Sequence, residues 1–335
     1  MKERLKKKWM HLYELAQIIG GYRPWDDFYE KDRFVYMGDK ENALYFSFIS
    51  DSAQRLGIAC YVGEENYLKA RKLLTSKNEK HEPVFMLQDA LICLWGNRED
   101  LDKESYEIIK ELGFKFRGKG CWLHFESYQK GYLPNVPEEE EIDLWINALE
   151  NLVMMLRAIY HDGVDPHFEE GETFLRWYNS EDKLYYNHSF KIDIPDSNIG
   201  HPCVTVKEND LLIKVRNMKS AGFNLELDWS YLNEIFVDSD GRETFPLAIM
   251  GVDSENGYIL ASEMLSPTHN HPNMVFNLFD SVIMKYGKPK EIHIRDEDLK
   301  GILADVCQKV GIKLVMKKRL SKINTALKEL VAQLG

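Results

Sequence analysis

The spacing of apolar residues predicts that the first half of the chain mixes helices and strands. Apolar residues recur at helical spacing over residues 4–19, and a Gly-Gly pair ends this run. A second, longer apolar stripe predicts a helix over residues 138–160, where the acidic first residues complement the helix dipole. Short runs rich in aromatic and β-branched residues predict antiparallel strands between these helices. The first three strand runs cover residues 33–37, 43–49 and 57–62. Residues 1–165 are therefore expected to form an α+β domain.

The apolar pattern changes after residue 165. Periodicity weakens and turn residues accumulate over residues 166–204, which predicts a connecting segment between two domains. Residues 205–335 then show the order β-β-β-α-β-α-β-α, which predicts an α/β domain with a mixed sheet. The turn between the second and third of these strands contains Asn256-Gly257, a strong hairpin signal. A fragment beginning near residue 198 is expected to fold by itself.

Length and composition agree with this division. The chain has 335 residues, more than one hydrophobic core usually organises, so about two domains are expected. Apolar residues make up 44% of the chain and charged residues 29%, which excludes a disordered or fibrous protein. No apolar run is long enough to cross a membrane, and the five cysteines are scattered. A cytoplasmic protein without a membrane partner is expected.

The net charge of −11 conceals a basic C-terminal segment. Residues 285–335 contain twelve lysines and arginines against six aspartates and glutamates. An acidic chain discourages indiscriminate binding to nucleic acid, but a basic face at residues 285–335 could bind nucleic acid as a specific partner. The alternative is that these lysines are the solvated side of one strand and its turn.

Three stretches of the second half resemble the integrase and transposase-core branch of the ribonuclease-H-like fold. They are Met250-Gly-Val-Asp-Ser-Glu-Asn-Gly-Tyr-Ile-Leu-Ala261, Lys285-Tyr-Gly-Lys-Pro-Lys-Glu-Ile-His-Ile-Arg-Asp296 and Cys307-Gln-Lys-Val-Gly-Ile-Lys313. They are similar to the second and third strands, the fourth strand, and the fifth strand of that core. The whole chain also resembles a group of uncharacterised bacterial two-domain proteins. The resemblance implies a ribonuclease-H-like C-terminal domain.

The resemblance further implies a site for Mg²⁺ or Mn²⁺. Integrase cores hold two divalent ions with three carboxylates, and the matching positions here are Asp228, Asp296 and Glu329. Asp228 lies on the first strand and Asp296 ends the fourth, so the two carboxylates are expected to converge and bind the metal. Glu329 is the only acid of the last helix, and it falls about 140° from the centre of the apolar face. Asp228 could instead belong to the wet face of a strand, and Asp296 could start a helix.

Two functions follow from these observations. The first is a non-catalytic or regulatory binding protein built on a divergent ribonuclease-H-like core and associated with nucleic acid. The alternative is a divergent metal-dependent nuclease or strand-transfer enzyme. The poor placement of the third acid, Glu329, favours the first.

The first half contains one further candidate. Aromatic and basic residues interleave over residues 114–122, as they do in surfaces that bind single-stranded nucleic acid. The alternative, which we favour, is a segment whose aromatic residues belong to the hydrophobic core.

Overall fold

The computed structural model divides into two compact units. It describes all residues except 30, 40–41, 51–54, 76–87, 192–201, 233, 240, 267–270 and 335. The first unit contains the described residues of Met1–Lys77, Leu87–Lys130 and Pro134–Ile199. The second contains Gly131–Leu133 and the described residues of Gly200–Gly335. Among the helices of the described part, none is long and apolar enough to cross a membrane.

The first unit has the predicted mixture of helices and strands. Its elements are α1 (Glu3–Tyr22), β1 (Arg33–Met37), β2 (Leu44–Ser50), β3 (Leu56–Val62), α2 (Glu64–Thr75), β4 (Ala90–Gly96), α3 (Lys103–Leu112), β5 (Trp122–Tyr128), α4 (Glu139–Tyr160), β6 (Glu172–Asn179) and β7 (Leu184–Lys191). The strands form one seven-stranded sheet in the order β5-β4-β3-β2-β1-β6-β7. Only β1 and β6 pair in parallel among these neighbours.

Helices α1 and α4 cover one face of this sheet. Their apolar stripes, which contain Leu12 and Trp145, form the larger core together with strand residues such as Phe125. Helix α2 covers part of the other face, where Tyr67 stacks on Tyr45 with ring centroids 4.8 Å apart.

The segment 166–204 is not the simple connection that its sequence predicts. It contributes β6 and β7 to the sheet of the first unit, and Phe174 of β6 pairs in register with Phe34 of β1. Strand β7 is an edge strand, and most of its residues are exposed or half-buried. Such a strand lacks the alternation of apolar and polar residues that one buried sheet face produces. This explains the weak apolar periodicity of its sequence.

The second unit is a mixed α/β structure. Its elements are α5 (Asp210–Asn217), β8 (Asn224–Tyr231), β9 (Phe236–Val237), β10 (Glu243–Thr244), β11 (Leu247–Asp253), β12 (Ile259–Leu265), α6 (His271–Tyr286), β13 (Glu291–Ile294), α7 (Glu297–Val310), β14 (Lys313–Met316) and α8 (Ser321–Leu334). Five strands form a sheet in the order β12-β11-β8-β13-β14, in which β8 is central. It pairs antiparallel with β11 and parallel with β13. Helix α5 and the short pair β9–β10 are additions to the predicted order.

A piece of chain from the first half completes the second unit. The N–H of Phe245 donates to the carbonyl of Gly131 at 2.8 Å, and the N–H of Leu133 donates to that of Glu243 at 3.2 Å. A fragment that begins near residue 198 would lack these partners. The sequence-based expectation that this fragment folds by itself does not include residues 131–133, which belong to the second unit.

Candidate functional site

The central strand β8 carries two acids on one buried face. Glu226 is 6% exposed and Asp228 is 1% exposed. Both share this face with their register partners on β11, Val252 and Met250, which pack against the apolar side of α8. The alternative that Asp228 belongs to a wet strand face is therefore wrong, because helix α8 covers that face.

Glu226 binds the start of the helix that covers it. Its Oε2 atom accepts hydrogen bonds from the backbone N–H groups of Lys322 and Ile323, each at 3.0 Å. These groups belong to the first turn of α8, where N–H groups lack partners within the helix and favour a negative charge. Glu226 was not among the residues that the sequence singled out. Its only signal in the sequence is its position two residues before Asp228.

Asp228 forms a buried ion pair. The Nε atom of Arg295 donates to Oδ2 of Asp228 at 2.6 Å, and the side chains are 8% and 0% exposed. The guanidinium also donates from Nη1 to Oδ1 of Asn324 on α8, at 3.0 Å. This network joins β8, the end of β13 and α8. A charge-assisted bond of this length is strong, and it neutralises Asp228 inside the unit.

Strand register explains why Arg295 is the partner of Asp228. His293 of β13 is the register partner of Glu226 on β8. Continuing the parallel register by two residues brings Arg295 beside Asp228. Asp296 is one residue further on, and successive side chains of an extended chain point to opposite sides. The structure thus brings Arg295 to Asp228, where the sequence predicted Asp296.

Asp296 is the N-cap of α7. Its Oδ1 atom accepts hydrogen bonds from the N–H groups of Asp298 at 2.9 Å and Leu299 at 3.2 Å. The interpretation of Asp296 as a helix start is confirmed.

The third candidate, Glu329, lies on α8 and is exposed. Within the part of the chain that the structure describes, no three His, Cys, Asp or Glu side chains form a group that could hold a metal ion. The residues present therefore do not fit a site in which Asp228, Asp296 and Glu329 share two divalent ions.

The basic segment contains paired and unpaired cations. Lys300 binds Glu297 at 2.9 Å, and Lys313 binds Glu291 at 2.8 Å. Hydrogen bonds from Lys313, which has the larger effect, and from His293 lower the pKa of Glu291 to about 2. Residues 317–319, Lys-Lys-Arg, are exposed in the turn before α8, and none of them pairs with an acid among the described residues. Lys285, Lys290 and Lys328 are also exposed, but residues 317–319 are three consecutive exposed cations in a single turn.

The aromatic and basic segment of the first unit belongs to its core. Phe114 and Phe116 both stack on Tyr13, with ring centroids 5.2 and 6.1 Å apart, and Tyr13 is 1% exposed. The basic residues of the same segment, Lys115, Arg117 and Lys119, are exposed. The favoured alternative for residues 114–122, aromatic residues in a core, matches this packing.

Comparisons with known proteins give weak structural likenesses. The catalytic core domain of BIV integrase is 11% identical over 33% of this chain and 64% of its own length, with a TM-score of 0.24. A chain of a simian T-cell lymphotropic virus intasome, determined in complex with a PP2A regulatory subunit, is 15% identical. That likeness covers 36% of this chain and 43% of the other, with a TM-score of 0.26. A search of curated proteins gives no match.

Two family profiles match the chain. A domain of unknown function, DUF6930, matches residues 212–331, which lie in the second unit. Another domain of unknown function, DUF7309, matches residues 9–176 and thereby covers half of the chain. The protein accordingly belongs to the DUF7309 family.

Proposed function

We propose that the second unit is a ribonuclease-H-like module that binds a polyanionic partner, and that this partner is nucleic acid. The module does not cleave phosphodiester bonds. The strand order β12-β11-β8-β13-β14, with β8 central and parallel to β13, supports the ribonuclease-H-like assignment. The observation that carries the proposal is the buried ion pair between Asp228 and Arg295.

Metal-dependent cleavage requires carboxylates that are free to bind the ions at the attacking and leaving oxygens. Arg295 already neutralises Asp228 at 2.6 Å, and Asp296 already caps α7. Glu226 is likewise engaged with the first turn of α8. Each of these three acids is thus engaged with another element of the fold, which supports a binding role over catalysis.

The exposed cations of residues 317–319 support a polyanionic partner. They follow the edge strand β14 and precede α8, so they form one basic turn at the edge of the sheet. Cations without acid partners can neutralise phosphates and release their counterions, which is the main source of affinity for nucleic acid. Lys300 and Lys313 are less suited to this role because acids already bind them.

Cleavage is tested with the full chain and labelled single-stranded and duplex oligonucleotides in the presence of Mn²⁺. We expect no cleavage, and no rise in melting temperature on adding Mn²⁺. Mn²⁺-dependent cleavage by the wild type would overturn the proposal. Its loss in Glu329→Gln, a change at an exposed position, would establish the alternative, a metal-dependent nuclease.

Binding is tested by measuring oligonucleotide affinity as a function of salt. The double variant Lys317→Gln and Lys318→Gln should reduce the salt dependence by about one unit per lost phosphate contact. The control variant Lys300→Gln and Lys313→Gln removes the same charge from paired positions and should change the slope less. Equal effects of the two variants, or no binding at low salt, would contradict a binding surface at residues 317–319.

A further inference from the structure

Arg176 is a buried cation in the first unit. It lies on β6, between Tyr36 of β1 and Asn187 of β7 in the register of the sheet. The residue is 6% exposed. Burial lowers the pKa of Arg176, whereas the nearby Tyr185 and Tyr36 act in the opposite direction. A buried guanidinium is costly unless negative charge compensates it.

In the described part of the chain, the side chains that bind the guanidinium of Arg176 are polar but uncharged. Its Nε atom donates to Oδ1 of Asn151 on α4 at 2.9 Å, and Nη1 donates to Oδ1 of Asn187 at 3.2 Å. The guanidinium carbon lies 4.4 Å from the ring centroid of Tyr185. Two amide oxygens and an aromatic ring offer partial negative charge only.

Arg176 has no carboxylate partner among the described residues. A guanidinium has five N–H donors, and the two amide oxygens use two of them. The remaining donors belong to Nη1 and Nη2, the pair of atoms that binds carboxylate or phosphate in a bidentate manner. Tyr185 is 45% exposed, so the guanidinium lies next to accessible surface on the edge strand.

We propose that Arg176 anchors a binding site for a small oxyanion, a carboxylate or a phosphate, held at the guanidinium beside Asn187 and Tyr185. The bound anion supplies the negative charge that none of the described residues provides. This site lies in the first unit and is independent of the function proposed for the second.

The site is tested by thermal-shift titration of the full chain with inorganic phosphate and, separately, with acetate. Chloride keeps the ionic strength constant. We expect a saturable rise in melting temperature with at least one of the two anions, because a ligand that binds the native state stabilises it. The two titrations distinguish a phosphate site from a carboxylate site.

Two variants and a control assign the effect to Arg176. Arg176→Gln removes the cation, and Asn187→Asp places an internal carboxylate at the Nη1 atom. Each should raise the half-saturating anion concentration roughly tenfold or more. Asn187→Asp should also raise the melting temperature without added anion. Arg157→Gln removes an exposed arginine from α4, and it should leave the half-saturating concentration within about twofold.

Three results would overturn the proposal. The first is the absence of a saturable shift with both anions in the wild type. The second is a shift that persists in Arg176→Gln. If Arg176→Gln does not fold, the third is an anion-induced rise in melting temperature that is unchanged in Asn187→Asp.

Discussion

Replacing Asp228 with asparagine separates the two roles that this residue can have. If Asp228 were one of two converging metal-binding carboxylates, its neutralisation would relieve repulsion and would be neutral or stabilising without metal. In the structure Asp228 instead compensates Arg295, and the side chains are 0% and 8% exposed. Asp228→Asn keeps a hydrogen-bond acceptor but leaves the buried guanidinium without a counter-charge.

The expected loss of stability is large. Removing one member of a buried ion pair costs about 3–5 kcal/mol, because the remaining charge stays in a medium of low polarity. At a typical urea m-value of about 2 kcal/mol per molar, the unfolding midpoint of the second unit should fall by about 1.5–2.5 M. The loss should be the same with and without Mn²⁺.

Local hydrogen exchange in urea is the appropriate assay. The second unit contains one of the seven tryptophans, Trp229, so total fluorescence reports mainly on the first unit. Peptides from β8 and α8 report on the network directly. The double variant Asp228→Leu and Arg295→Met should recover most of the lost stability, since it removes both charges. An Asp228→Asn variant as stable as the wild type would refute the role of Asp228 as the counter-charge of Arg295.

Two further predictions concern the second unit. Gly301→Ala should lower the free energy of unfolding by about 1–3 kcal/mol in urea titration, although alanine favours helices, because its Cβ would lie 2.0 Å from the carbonyl oxygen of Pro202. A neutral or stabilising effect would mean that the segment at Pro202 moves away from α7 without cost. The lowered pKa of Glu291, about 2 against an ordinary 4.5, predicts stability that is fully present above pH 4.5 and lost as the pH falls towards 2. Glu291→Gln should flatten this part of the curve of melting temperature against pH. An unchanged curve would contradict the lowered pKa of Glu291 as the source of this pH dependence.

The sequence by itself determined the features that depend on neighbouring residues. Asp296 is the N-cap of α7 and Gly311 is its C-cap, and the sequence places both signals beside a helical apolar stripe. Caps and periodicity act within a few residues, so they can be read without knowledge of the fold.

Tertiary structure decided which side chains meet. Arg295 and Asp228 are 67 positions apart, and only the register of β13 on β8 makes them partners. A shift of one residue in that register would bring Asp296, the acid that the family resemblance implied, beside Asp228 in place of Arg295. The same reason applies to β6 and β7, whose place in the first sheet depends on pairing with β1 more than a hundred residues away. Local sequence patterns specify the helices and strands. The register between distant strands specifies which buried charged side chains meet, and these contacts determine the role of each acid.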